Sequence, residues 1–200
     1  MSEANVKTTV LTPKSDREGV LFRVCDPGWF DKSSVFRIQN APSRTAGLEF
    51  TGSDLNFVSR VLYAESSGSA QISDKDARAK EKQAILNVKH FRLNRRGYPN
   101  AVKAMTFTEV CKAPNQFESV YAASRKFSGS GLDSFESLNG LECKDLAEAI
   151  DAVRYFFAHG PDKELVFDNF RGGKVGKGKN IGLSRFWLSS EGARLHEKNE

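Results

Sequence analysis

Ser53-Asp54-Leu55-Asn56-Phe57-Val58-Ser59-Arg60-Val61-Leu62-Tyr63-Ala64-Glu65-Ser66-Ser67-Gly68 reads as one helix with a start and a stop. Ser53 or Asp54 can cap its N-terminus, because a short side-chain oxygen accepts from an orphan backbone N–H. Gly68 can supply the left-handed residue that ends it. Leu55, Val58, Leu62 and Glu65 fall on one face at helical spacing, with Val61 beside them. That face is apolar until its last position, which is a carboxylate. A Glu there loses water and meets the negative end of the helix dipole. Both effects disfavour its charged form, which is the condition a general acid needs near neutral pH. The structural alternative is that Glu65 ends a frayed turn and points to solvent, or pairs with Arg60 or Arg95.

Downstream, a second helix is predicted from about Arg78 to Asn94, with Ala84, Ile85, Val88 and Phe91 buried. Arg95-Arg96-Gly97-Tyr98-Pro99-Asn100 stops it. A short helix is expected over Ala101 to Met105, and Phe107 to Val110 suits either an extended or a helical form. Pro114 keeps Ala113 out of a helix, so Ala113 to Val120 reads as a loop or short extended piece. In that conformation Gln116 and Glu118 share one face. Val120 to Phe127 reads as helical, and Ser128-Gly129-Ser130-Gly131 as a flexible break. Asp145 to His159 is the clearest later helix, with Leu146, Ile150, Val153 and Phe157 inward and His159 a partner for its C-terminal dipole. Leu165-Val166-Phe167 is a short strand candidate.

Gly173 to Lys179 has the GxxxxGK spacing of a phosphate loop. Asn180, however, stands where Ser or Thr must meet magnesium, and Ile181-Gly182-Leu183 is a poor helix start. The run reads instead as a solvated basic loop, with contact to an anionic polymer as its functional alternative. Phe186-Trp187-Leu188 is expected to pack back on the body and the tail from Glu191 to be exposed.

Upstream, residues 1–50 differ in style and read as an N-terminal extension to a domain at 51–200. Val20-Leu21-Phe22-Arg23-Val24 and Val35-Phe36-Arg37-Ile38 suit the strands of a small hairpin around Asp26-Pro27-Gly28. Ala41 to Gly47 reads as a linker. Such an extension is suited to docking or recognition.

Composition sets outer bounds. Hydrophobic residues make up 39% of the 200, with fifteen Phe, enough for a substantial core. The formal charge of +5 suits a polyanionic partner without choosing among nucleic acid, membrane surface and anionic wall polymer. Three cysteines, Cys25, Cys111 and Cys143, match no zinc or CxxC spacing and leave room for one pair at most. The favoured reading makes all three small buried hydrophobes. No metal and no cofactor are expected. No apolar run follows the charged start, so no signal peptide is expected, and no stretch approaches the roughly 20 apolar residues of a membrane span. A chain made in the cytoplasm follows; work outside it would need delivery other than by the general secretory route.

Arg60-Val61-Leu62-Tyr63-Ala64-Glu65 resembles the "ARVVYAEARGE" signature of the SleB-type cell-wall hydrolases, the spore-cortex lytic enzymes and their relatives. Further landmarks recur in order. Gln83-Ala84-Ile85-Leu86-Asn87-Val88 is similar to "VAVANVV", Tyr98-Pro99-Asn100-Ala101-Val102 to "FPNTV", and Asn115-Gln116-Phe117-Glu118-Ser119 to "GQFSW". Val166-Phe167-Asp168-Asn169 with Ile181-Gly182 is similar to "YFYNP…IGRH". The resemblance spans residues 53–188. It departs at Glu118, inserted into the Gln116 motif, and at Leu183-Ser184, where the family has Arg-His.

The resemblance implies a mainly α (α+β), lysozyme-like helical domain with a small β element, and cleavage of peptidoglycan glycan strands. It gives Glu65 the role of catalytic acid. Gln116 would be a substrate-orienting amide across the cleft, with Tyr63, Phe117 and Asn169 as further substrate contacts. Glu65 alone implies a lytic transglycosylase; a second carboxylate would make a muramidase, with Glu118 foremost and Asp54, Asp74 and Asp76 behind it. Without a signal peptide, an injected antibacterial toxin or a phage lysin is implied, acting in the periplasm or wall, including that of a target cell. A toxin would bring a cognate immunity protein, and a secretion-machine component could meet the N-terminal extension. The rival readings are a non-catalytic wall-binding module and a basic nucleic-acid-binding protein, although no nucleic-acid reader motif is present.

Overall fold

The computed structural model describes residues 25–95, 103–114, 116–121, 138 and 140–197; of Glu118, Tyr121 and Glu197 only the backbone is described. Two short strands, β1 (Val35–Phe36) and β2 (Phe50–Thr51), lead into α1 (Gly52–Glu65). Helices α2 (Lys75–Phe91), α3 (Phe107–Lys112), α4 (Glu118–Tyr121) and α5 (Gly140–His159) follow. Strands β3 (Asn169–Gly172), β4 (Lys179–Ile181) and β5 (Ser184–Trp187) make a second sheet, and α6 (Ser190–Glu197) closes the described chain. Helices carry most of the core, and both sheets are small and antiparallel. The expected α+β class holds.

Helix α1 is central and touches α2, α3, α4, α5 and β2. Its expected apolar face is real: Leu55, Val58, Val61 and Leu62 are fully buried. The caps differ from expectation. Thr51 is the N-cap, its hydroxyl accepting from Asp54 N–H at 3.2 Å, and Ser66 ends the helix with Gly68 outside it. Asp54 is buried and accepts from the N–H groups of Phe107 (3.2 Å) and Thr108 (2.7 Å), thereby starting α3. Burial raises its carboxyl above the ordinary range, and these hydrogen bonds oppose the rise.

Helix α2 begins at Lys75, earlier than expected, because Asp74 caps it by accepting from Asp76 N–H and Ala77 N–H. Helix α5 likewise begins before Asp145, at Gly140. Arg78 joins the two: it makes a bidentate pair with Glu148 (2.8 and 2.6 Å) and donates to the carbonyls of Ile72 and Ser73. A hydrogen-bonded pair of this kind holds direction as well as charge. Accordingly, Glu148 is lowered, chiefly by Arg78.

Residues 25–50 are built into the same core. Phe30, Phe36 and Phe50 join Phe107, Phe156 and Phe157 in a chain of mostly edge-on rings with centroids 5.2–6.5 Å apart. Edge-on contact suits the ring quadrupole. Asn56 accepts from Phe30 N–H and donates to Phe30 O, both at 2.9 Å. β1 pairs with β2; the expected partner at residues 20–24 lies outside the described residues. The expectation of three unpaired cysteines is overturned. Cys25 and Cys143 form a disulfide across a separation of 118 residues, and Cys111 stays free and buried.

Residues 41–47 are a strap over the end of α2. Arg44 donates to Leu93 O, and Asn94 Nδ2 donates to Arg44 O at 2.6 Å. Thr45 Oγ1 lies 2.9 Å from His90 Nε2. Burial, with Arg44 and Arg95 nearby, pulls His90 down to about 3. His90 is therefore neutral in the folded protein and takes up a proton when unfolded below about pH 6.5. The unfolded chain binds the extra proton, so stability rises with pH across that window and is lost as pH falls. Through His90 the protein should lose roughly 2 kcal/mol between pH 6.5 and 5. Urea unfolding at the two pH values checks this: His90→Gln should lack the loss, and equal pH dependence in both proteins would contradict it.

Several local expectations change at the C-terminal end. Lys103 to Met105 is not helical, α3 is, and α4 occupies part of the expected loop. Leu165 to Phe167 is not a strand; pairing starts at Asn169, opposite Trp187. Strand β5 is central, in the order β3-β5-β4, so residues 173–178 must cross over it. Gly176 and Gly178 make that crossing. Their φ angles are +114° and +128°, and a Cβ would lie 1.6 Å from the Arg185 guanidinium or 2.4 Å from Phe186 O. These glycines answer a packing need, which accounts for spacing that mimics a phosphate loop. The tail expected to be exposed forms α6, with Asp168 accepting from Ser189 N–H at 2.7 Å at its start. Among the described residues no helix is long and apolar enough to cross a membrane.

Candidate active site

Glu65 is the last residue of α1 and is half-buried. Its Oε1 accepts from Ser119 N–H at 3.1 Å and from the Ser119 hydroxyl. Among the described residues nothing hydrogen-bonds to Oε2. The carboxylate is thus held by one oxygen and open at the other. The alternative pairing with an arginine is not formed among the described residues: Arg95 donates to Phe91 O (2.6 Å) and Leu195 O (3.2 Å).

The floor beneath it is built from α2, α3 and residues 116–119. Lys89 is fully buried, and its Nζ has no hydrogen-bond partner among the described residues. Nζ lies 3.9 Å from the centroid of the Phe117 ring, within electrostatic reach of Cys111 and Glu65. Burial pulls the ammonium down, with Cys111 and Glu65 opposing. Burial also pushes the Cys111 thiol up to about 11, so it is no nucleophile at neutral pH. Arg92, drawn down to about 10 by burial, donates to Asp168 O (3.2 and 2.8 Å) and to Gln116 Oε1 (2.7 Å).

Two acids hold the loop after Glu65. Glu81 is fully buried and accepts from Ser67 N–H (2.9 Å) and from Leu183 N–H (3.1 Å). Asp145 accepts from Ser69 N–H with both oxygens (3.0 and 3.1 Å). Glu81 sits on the same apolar stripe as Ile85, as Glu65 does with Leu62 and Val58. The two differ in what remains free. Both Glu81 oxygens are saturated by backbone donors in the core, whereas Glu65 keeps one oxygen open near the surface.

The expected site residues divide. Gln116 is half-buried near Glu65's Ser119, but its amide is engaged at both ends, accepting from Arg92 and donating to Pro114 O at 3.2 Å. Phe117, expected to contact substrate, is 1% exposed and serves as floor, packed on Phe170 at 6.1 Å. Tyr63 is buried two residues before the helix end; burial, then Glu142 and Asp145, raise its phenol to about 12. Asn169 opens β3, partly exposed. Glu118 starts α4, so it does not share an extended face with Gln116; its side chain lies outside the described residues. Asp54 is at the opposite end of α1 from Glu65, about 16 Å along the axis. Asp74 and Asp76 belong to the α2 N-terminus.

Sequence reading missed Ser119, Lys89, Arg92, Glu81 and Asp145. The signal that found Glu65, a carboxylate on an apolar stripe, was also available for Glu81. Lys89, beside Val88 and within an otherwise buried helix face, carried a similar signal.

A groove of about 570 Å³ between α2 and α5 lies away from Glu65. Its acids are committed elsewhere: Glu148 to Arg78, Asp151 to Arg154 and Asp162 to Glu164 N–H. Among the described residues no group of His, Cys, Asp and Glu side chains converges to hold a metal ion. No protein-family model, curated protein or solved structure matches the chain.

Proposed function

We propose that this chain cleaves peptidoglycan glycan strands with Glu65 as general acid and then base, in a lysozyme-like helical domain. One observation carries the reading: a helix-end carboxylate, fixed at Oε1 by Ser119 and open at Oε2. The motif order around Glu65, Gln116 and Asn169 supports the same chemistry.

In this reading, protonated Glu65 donates to the glycosidic oxygen as the C1–O bond breaks and positive charge develops at C1. The resulting carboxylate then takes the proton of the sugar's own 6-hydroxyl. O6 closes on C1, giving a 1,6-anhydro end and restoring the acid. A lone acid can therefore complete a transglycosylation, whereas a muramidase needs a second carboxylate or its equivalent for water. The Cys25–Cys143 disulfide fits work in an oxidising compartment such as the wall space.

Mass spectrometry of digested sacculi tests the reaction. Soluble fragments ending in anhydro sugars are expected. Fragments heavier by one water would convert the proposal to a muramidase, and sacculi left intact would contradict cleavage.

A further inference from the structure

Residues 169–190 contain five cations, Arg171, Lys174, Lys177, Lys179 and Arg185, and no acid. That equals the entire +5 excess of the chain, so the remainder is formally neutral. Residues 171–180 are all exposed, and Arg171, Lys174, Lys177 and Lys179 make no ion pair among the described residues. The crossing at Gly176 and Gly178 and the Gly173 N–H···O Leu183 bond at 2.9 Å hold the array on β5. Its charge is placed before any partner arrives.

This sheet adjoins the Glu65 site at two points. Phe170 packs on Phe117, two residues before the Ser119 that holds Glu65. Leu183 shares Glu81 with Ser67, two residues beyond Glu65. A polymer bound at Glu65 and running along the sheet would meet the cations.

We infer that the β3–β5 sheet and its crossing loop dock the acidic stem peptides of peptidoglycan, so that the substrate is peptide-bearing glycan and not the bare strand. This rests on the glycan-cleavage reading. The glycan backbone is uncharged, and the carboxylates lie on the peptides hung from each muramic acid. Lysines are mobile point charges suited to carboxylates whose positions vary. Bases of single-stranded nucleic acid need open aromatic faces; here Phe186 is buried, Phe170 packs on Phe117 and Phe186, and Trp187 lies under Arg185. An anionic membrane would meet one strongly exposed apolar side chain in the loop, Val175.

The test separates binding from cleavage. Glu65→Gln protein is sedimented with intact sacculi and with sacculi whose stem-peptide carboxylates have been converted to amides by a carbodiimide and ammonia, over a salt series. Retention on intact sacculi should be about tenfold stronger and should weaken as salt screens the charges. Adding Lys174→Gln, Lys177→Gln and Lys179→Gln should abolish that difference without changing the melting temperature. Equal retention on both sacculi, or full retention by the lysine variant, would overturn the inference. So would displacement from intact sacculi by duplex DNA at lower concentration than by free stem peptide. Wild-type cleavage of intact sacculi is the separate readout: cleavage without a retention difference removes only the docking surface, and a retention difference without cleavage removes only the enzymatic reading.

Discussion

Glu65→Gln should lower sacculus digestion by on the order of 10²–10⁴-fold, the range supplied by a positioned general acid–base group. The amide has nearly the same volume, and its oxygen can still accept from Ser119 N–H and the Ser119 hydroxyl. What is lost is the transferable proton. The melting temperature should therefore stay close to wild type while turnover collapses. Ser119→Ala should have a smaller effect and a different form: the backbone N–H remains, the hydroxyl does not, and the pH profile of turnover should move. Initial digestion rates at matched folded concentration check both. Undiminished activity in Glu65→Gln would end the assignment of the site to this carboxylate.

Reduction of Cys25–Cys143 should produce the largest loss of stability. The bond closes a span of 118 residues. A loop of that order is worth about 4–5 kcal/mol in the chain-entropy account. For a chain of this size that corresponds to a fall of roughly 10–20 °C in melting temperature. The bond ties the segment bearing Phe30, Phe36 and Phe50 to α5, which supplies Phe156 and Phe157, so its loss loosens contacts inside the core. Melting with and without reductant measures the effect. Thiol titration of the unfolded chain should find one thiol before reduction and three after it. A melting temperature indifferent to reductant would contradict this account.

Helix periodicity carried much of the architecture because apolar stripes at Leu55–Leu62, Ala84–Val88 and Leu146–Phe157 are local signals. Caps were less legible. Thr51 was passed over for the more polar Ser53 and Asp54, and Asp54 turned inward to serve a helix fifty residues away. Contacts between distant positions leave no local trace. Nothing near Cys25 indicates Cys143, and nothing near Glu65 indicates Ser119. Helix α4 was hidden because Pro114 and its neighbours favour a loop, yet the constraint reaches only to Ala113. The place of Glu65 at the end of an apolar stripe was legible from spacing, whereas the surroundings of Gln116 and Phe117 depended on the interior formed around Arg92 and Lys89.

The contrast between Glu65 and Glu81 extends to the fate of the protein in a cell. If Glu65 is the acid proposed above, a chain lacking the first carboxylate should stay folded and accumulate as an inert product. A chain lacking the second leaves the Ser67 N–H buried without an acceptor, a defect that costs about 1–3 kcal/mol, and releases the Leu183 N–H as well. That raises the unfolded fraction, and proteolysis then lowers abundance. Loss-of-function alleles at these two glutamates would share a phenotype and differ in how much protein remains.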